Sequence, residues 1–278
     1  MSQLGSRKAA IFSSLFLSLV AYVAGIFAMA VTQNLVARRL GLKWILVSAE
    51  MALALPALLV IWLLVKEIPE LVRFPPLGRL GAPRIVVLGL ALWGLSLGMF
   101  EAQYVLVKPP LAFLKQFQGL HEALRPKDPL DWVFSIVAIA IAPAICEEIL
   151  FRGLITPVIR RAAGVAAGIV GSSALFALIH IDSMPGGEKV FYRVPFAFIL
   201  GMLLAKLRID TGSLWPSMIA HATLNATTFL AVPLMDEPTD VLPDPQPLMA
   251  VAMLVVGSTT ARVLMRQLRQ APNPPPAS

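Results

Sequence analysis

A chain of 278 residues with 58% hydrophobic and 14% charged side chains, and a mean hydropathy of +0.78, cannot cover itself with polar surface in water. Ordinary soluble domains carry roughly 25% charged residues, so this composition excludes a soluble globular protein and makes the lipid bilayer its medium. The formal charge of +7 fits anchoring to anionic lipid, and no fold signature for nucleic acid accompanies it.

Apolar runs of span length recur in chain order at 9–31, 44–65, 85–107, 132–162, 164–181, 194–207, 213–234 and 247–265. They predict an all-α, polytopic transmembrane helical bundle of about eight spans, most of them near the 20 residues a membrane helix needs. The runs are continuous and not alternating, which argues against a β-barrel. The first run follows Arg7-Lys8 and contains Ala28-Met29-Ala30, features shared with cleaved signal peptides. Its apolar core exceeds the 7–15 residues of a signal sequence, so it reads as a span.

The separators carry expected punctuation: Ala37-Arg38-Arg39, the basic 66–84 stretch, Lys108-Pro109-Pro110, Arg160-Arg161, and an acidic, Pro-rich 236–244. Three regions result: 1–131 with the first spans and their loops, 132–234, and 235–278 with the last span and a Pro-rich tail. The tail, 272–278, reads as disordered, and His121 as solvated. With the N-terminus inside, fourteen of the 23 Lys and Arg residues fall on the inner side and nine on the outer, which puts both termini in the cytoplasm. High Ala, Arg and Pro usage points to a GC-rich bacterial source, and so to a bacterial inner membrane.

Within this apolar background stands Cys146-Glu147-Glu148-Ile149-Leu150-Phe151-Arg152-Gly153. A charged side chain at bilayer depth costs roughly 2.5 kcal/mol or more unless it faces a partner or a water-filled cavity, so such a cluster marks a functional site. Glu148 and Arg152 stand i and i+4, the favoured order for an ion pair on one helical face, while Glu147 projects about 100° away. One acid can therefore be held by arginine while the other stays free for proton chemistry. The single cysteine, Cys146, excludes an internal disulfide and reads as a small buried hydrophobe.

Two later apolar runs each contribute a histidine, His180 and His221. Phe176 precedes His180 by one turn, and Asn225 follows His221 by one turn. Glu147 lies 16 residues before Ala163 and His180 lies 16 after Gly164. A turn at that pair, with no sharp break at Gly153 or Pro157, would bring both to one depth, roughly 24 Å from the turn. Gly164-x-x-x-Gly168 reads as a close-packing stripe.

The ordered set Glu-Glu-x-x-x-Arg (Glu147, Glu148, Arg152), Phe-x-x-x-His (Phe176, His180) and His-x-x-x-Asn (His221, Asn225) resembles the CAAX protease and bacteriocin-processing family of intramembrane proteases. Its eukaryotic members are type II CAAX prenyl endopeptidases. The resemblance spans 132–234, which would then be the catalytic core, and implies hydrolysis of a peptide or prenylated protein substrate in the membrane. By resemblance, Glu147 and His180 would activate the attacking water, His221 and Asn225 would stabilise the oxyanion, and Glu148, Arg152 and Phe176 would support the site. By resemblance a metal-free glutamate mechanism is favoured, and no His-Glu-x-x-His helix is present. Were zinc used, Glu147, His180 and His221 would be its ligands. Two other classes remain open: a proton-coupled transporter, and a non-catalytic scaffold or immunity protein of the same fold.

Overall fold

The computed structural model describes residues 2–37, 41–77, 81–111, 115, 122, 124–181, 187–231 and 244–270, and among these no strand occurs. Three helices come first: α1 (Ser2–Ala37), α2 (Leu42–Leu64) and α3 (Gly81–Leu106). A composite rod comes next, made of α4 (Pro129–Ile136), a π-helical turn at Val137–Ile141, α5 (Ala142–Glu148), a second π-helical turn at Ile149–Ile155, and α6 (Thr156–Leu178). Three more complete the bundle: α7 (Gly187–Thr211), α8 (Trp215–Ala231) and α9 (Pro247–Gln270).

Five described segments are long and apolar enough to cross a membrane: Ala9–Leu35, Leu42–Leu64, Gly81–Leu106, Pro129–Leu178 and Pro247–Arg269. The chain is an integral membrane protein with an all-α bundle. The expected spans at 132–162 and 164–181 are the two limbs of the 50-residue Pro129–Leu178 segment. The runs at 194–207 and 213–234 fall on α7 and α8, which are helical but outside those five. Arg193, Lys206, Arg208 and Asp210 lower the apolarity of α7, and α8 has only 17 residues. The readings made for Arg38, Arg39, Arg79, His121, most of the acidic loop and the 272–278 tail lie outside the described residues.

Burial is organised as lipid requires. Trp62 and Leu106 are 72% and 77% exposed, whereas Glu147, Glu148, Arg152 and His221 are buried. Apolar side chains face outward and charge faces inward, so each charge must find its partner within the bundle. α1 packs on α2, α3 on both α8 and α9, and α6 on α7, while residues 129–155 touch both α2 and α8. At the α3/α9 seam a Cβ added at Gly257 would stand 2.8 Å from the backbone nitrogen of Leu95. Only glycine lets these backbones approach so closely, which is the usual source of cohesion where lipid supplies no hydrophobic drive.

The composite rod starts at Asp128, whose carboxylate accepts the Asp131 N–H at 2.8 Å ahead of Pro129 in the first turn. It runs through Gly153 and Pro157 without a break. It turns at Gly164, where φ 90° and ψ 175° describe a backbone that essentially only glycine adopts. The expected hairpin is therefore present, and its rungs are visible: the Thr156 and Ser172 hydroxyls are 2.9 Å apart, and the Phe151 and Phe176 rings are 5.1 Å apart. The Gly164-x-x-x-Gly168 stripe needs correction. Gly164 is the turn itself, with nothing near its missing Cβ, and Gly168 packs against Arg160 inside the hairpin. Gly164→Val should destabilise the protein by about 1–3 kcal/mol, read as a lower midpoint of thermal unfolding.

Candidate active site

The two π-helical turns bracket the acidic pair. Each is marked by an N–H that reaches five residues back: Ala142 to the Val137 carbonyl, and Thr156 to the Phe151 carbonyl. Such turns insert a residue into the helical repeat and re-aim the side chains beyond it, and they concentrate at functional sites. Here residues 150–158 are buried without interruption, so the turn keeps Phe151 and Arg152 together in the interior.

Arg152, 1% exposed, donates from Nη1 to Glu148 Oε1 at 2.7 Å and from Nη2 to the Gly201 carbonyl at 3.2 Å. Its guanidinium carbon stands 4.4 Å from the centre of the Phe176 ring, so the cation is matched by a carboxylate, a carbonyl and an aromatic face. Gly201 makes this possible, because a Cβ there would stand 2.9 Å from that of Ser173 and push α7 away.

The same Glu148 oxygen accepts from Nδ1 of His221 at 3.1 Å. A carboxylate held by arginine accepts and does not donate, so Nδ1 carries the proton and Nε2 is left for chemistry. Nε2 stands 3.7 Å from Glu147 Oε2, which is buried and has no hydrogen-bond partner among the described residues. One imidazole is thus flanked by two carboxylates, one anchored and one free.

His180 occupies the other side of Phe176. Its ring lies 4.7 Å from that phenyl ring, and Nδ1 donates to the Phe176 carbonyl at 2.8 Å. The carbonyl can only accept, which fixes the tautomer and leaves Nε2 as an acceptor. Phe176 also lies 6.0 Å from the His221 ring, so it joins both histidines to Arg152.

The structure therefore brings Glu147, Glu148, Arg152, Phe176 and His221 into one cluster and attaches His180 through Phe176. The hairpin register is the expected one, but the imidazole within 4 Å of Glu147 is that of His221. Among the described residues no hydrogen bond or ion pair joins Glu147 to His180. Asn225 lies one turn beyond His221 on α8, half-buried, with no hydrogen bond from its side chain among the described residues. Cys146 is buried beside the pair.

Sequence reasoning missed Glu50. It comes from α2, outside the second-half motif, and its charge lies within electrostatic reach of Glu147 and Cys146. One carboxylate oxygen of Glu50 is buried without a partner among the described residues. The signal was present, since Glu50 is the only charged residue between Trp44 and Leu64.

Among the described residues no group of three His, Cys, Asp or Glu side chains that could hold a metal ion occurs, so Glu147, His180 and His221 are not drawn together as a ligand set.

Comparison with known proteins falls on the same part of the chain. The family model for Type II CAAX prenyl endopeptidase Rce1-like matches residues 129–227, which hold every member of the cluster except Glu50. No curated protein and no solved structure matches the chain. From α4 through most of α8, this membrane protein is similar to the Rce1-like family of type II CAAX prenyl endopeptidases.

Proposed function

We propose that the protein is an intramembrane endopeptidase that hydrolyses a peptide bond of a membrane-associated or prenylated, CAAX-type substrate. The observation that carries this reading is the placement of His221 between an anchored carboxylate and a free one, 3.1 Å from Glu148 and 3.7 Å from Glu147, inside a buried cluster.

Glu147 takes a proton from water as the water oxygen attacks the scissile carbonyl carbon, and Nε2 of His180 orients that water by accepting its second hydrogen. The carbonyl π pair moves to oxygen. The resulting oxyanion is met by the Asn225 amide and by Nε2 of His221. Donation from that nitrogen needs a second proton on the ring, and the proton Glu147 takes from water reaches it through Oε2. When the carbon–nitrogen bond breaks, the electron pair leaves on nitrogen, and the same proton returns from Nε2 to Glu147 and passes to the departing amine. Glu148 and Arg152 keep Nδ1 of His221 protonated throughout. A dry, preorganised setting is where such donors are worth most, because they need no reorganisation as charge develops.

Asn225→Ala should lower kcat by about 100- to 1,000-fold, with little change in thermal midpoint because the side chain holds nothing in the resting protein. A fall in stability matching the fall in rate would instead make it a packing residue.

The substrate class is tested with a farnesylated CAAX-type peptide and its unprenylated counterpart, after exhaustive chelation. The expected result is cleavage that survives chelation, with preference for the farnesylated peptide. Activity that vanishes and returns only with zinc would overturn the metal-free reading. Solute flux in proteoliposomes without peptide cleavage would make the protein a transporter. We also infer, from the Lys and Arg distribution, that both termini lie in the cytoplasm of a bacterial inner membrane.

A further inference from the structure

Away from the acidic cluster, at the end of the bundle where α2 and α7 stop and α8 begins, three arginines converge on a cavity of about 110 Å³. A single water needs about 10–15 Å³ on that measure, so the space takes a polyatomic ion. Its walls are Glu70, Arg73, Thr156, Arg160, Arg208 and Gly212 among others, three guanidiniums against one carboxylate. The cavity is built and not incidental. The Leu214 N–H donates to the Arg73 carbonyl at 2.9 Å, and Arg208 donates from Nη2 to the Glu70 carbonyl, so one backbone and one side-chain bond tie the loop after α2 to α7 and the α7–α8 turn.

Arg208 is the informative member. It is 5% exposed, yet among the described residues its Nε has no hydrogen-bond partner and no carboxylate lies within ion-pair distance of it. Arg73 and Arg160 are close enough to act on it as like charges, with Glu70 as the one opposing charge. A buried guanidinium with an idle donor, facing two like charges and one carboxylate, leaves positive charge that an anion would balance. The helix ends place the cavity at headgroup level, where lipid phosphates lie and where arginine's fork of donors matches phosphate oxygens.

We propose that Arg73, Arg160 and Arg208 form a phosphate-binding site at the membrane surface, supplied by the headgroup of an anionic phospholipid or by free phosphate.

The full-length protein in detergent would be titrated with dioleoyl phosphatidylglycerol, dioleoyl phosphatidylcholine or inorganic phosphate, and binding read by native mass spectrometry and by the thermal midpoint. Phosphatidylglycerol retained in preference to phosphatidylcholine identifies the headgroup as the source. A midpoint raised by millimolar inorganic phosphate alone identifies free phosphate. In either case Arg73→Gln and Arg160→Gln should each weaken binding about fivefold, the worth of one basic residue near a charged surface. Arg262→Gln, exposed on α9 and not among the cavity walls, should leave binding unchanged. Arg73 is exposed, so its variant is expected to fold. Equal retention of both lipids with no effect of phosphate would overturn the proposal, as would phosphatidylglycerol binding indifferent to Arg73→Gln and Arg160→Gln.

Discussion

Arg152→Met is expected to destabilise the protein by about 3–5 kcal/mol, the cost of leaving a buried charge without its partner. Arg152 and Glu148 are both buried and 2.7 Å apart, so methionine would fill the space yet leave Glu148 without the cation that balances it. The chain supplies its own reporter. Cys146 is the single thiol and is buried, so labelling by a maleimide dye on heating tracks unfolding. The double variant Glu148→Gln/Arg152→Met should regain most of the lost stability, since neither partner is then a bare charge. A single Arg152→Met variant that melts with the wild type would mean that the pair does not hold the site together.

Much of this arrangement is legible in the chain itself. Glu148 and Arg152 announce their pair by spacing, and Gly164 marks the turn that aligns Phe151 with Phe176. Charge inside apolar runs is expensive enough that each instance is informative. The features that escape have physical causes. The π-helical turn at Ile149–Ile155 changes which side chains share a face, and a 3.6-residue period carries no sign of it. This local rephasing accompanies a Glu147 that faces His221, while His180 is held at the end of α6 by the Phe176 carbonyl. Glu50 escapes because it sits in the first half of the chain, apart from the motif and joined to it only by the packing of α2. α7 falls outside the five apolar segments because it carries Arg193, Lys206, Arg208 and Asp210; Lys206 and Asp210 pair one turn apart at 2.7 Å, and composition alone does not reveal such partners.

Glu147→Gln should remove hydrolysis and leave the fold. Glutamine keeps the size of the side chain and can still face Nε2 of His221, but it cannot take a proton from water. A general base contributes about 100- to 10,000-fold, and a loss in that range is expected in kcat/KM. Stability should hold, because Glu147 Oε2 makes no hydrogen bond that the substitution would break. The decisive measurement is kcat/KM for a farnesylated CAAX-type peptide with wild-type protein and Glu147→Gln in the same detergent, each checked by Cys146 labelling for an unchanged unfolding midpoint. The account predicts cleavage by the wild type and at least about a 100-fold loss in the folded variant. Equal cleavage by the two proteins would contradict it.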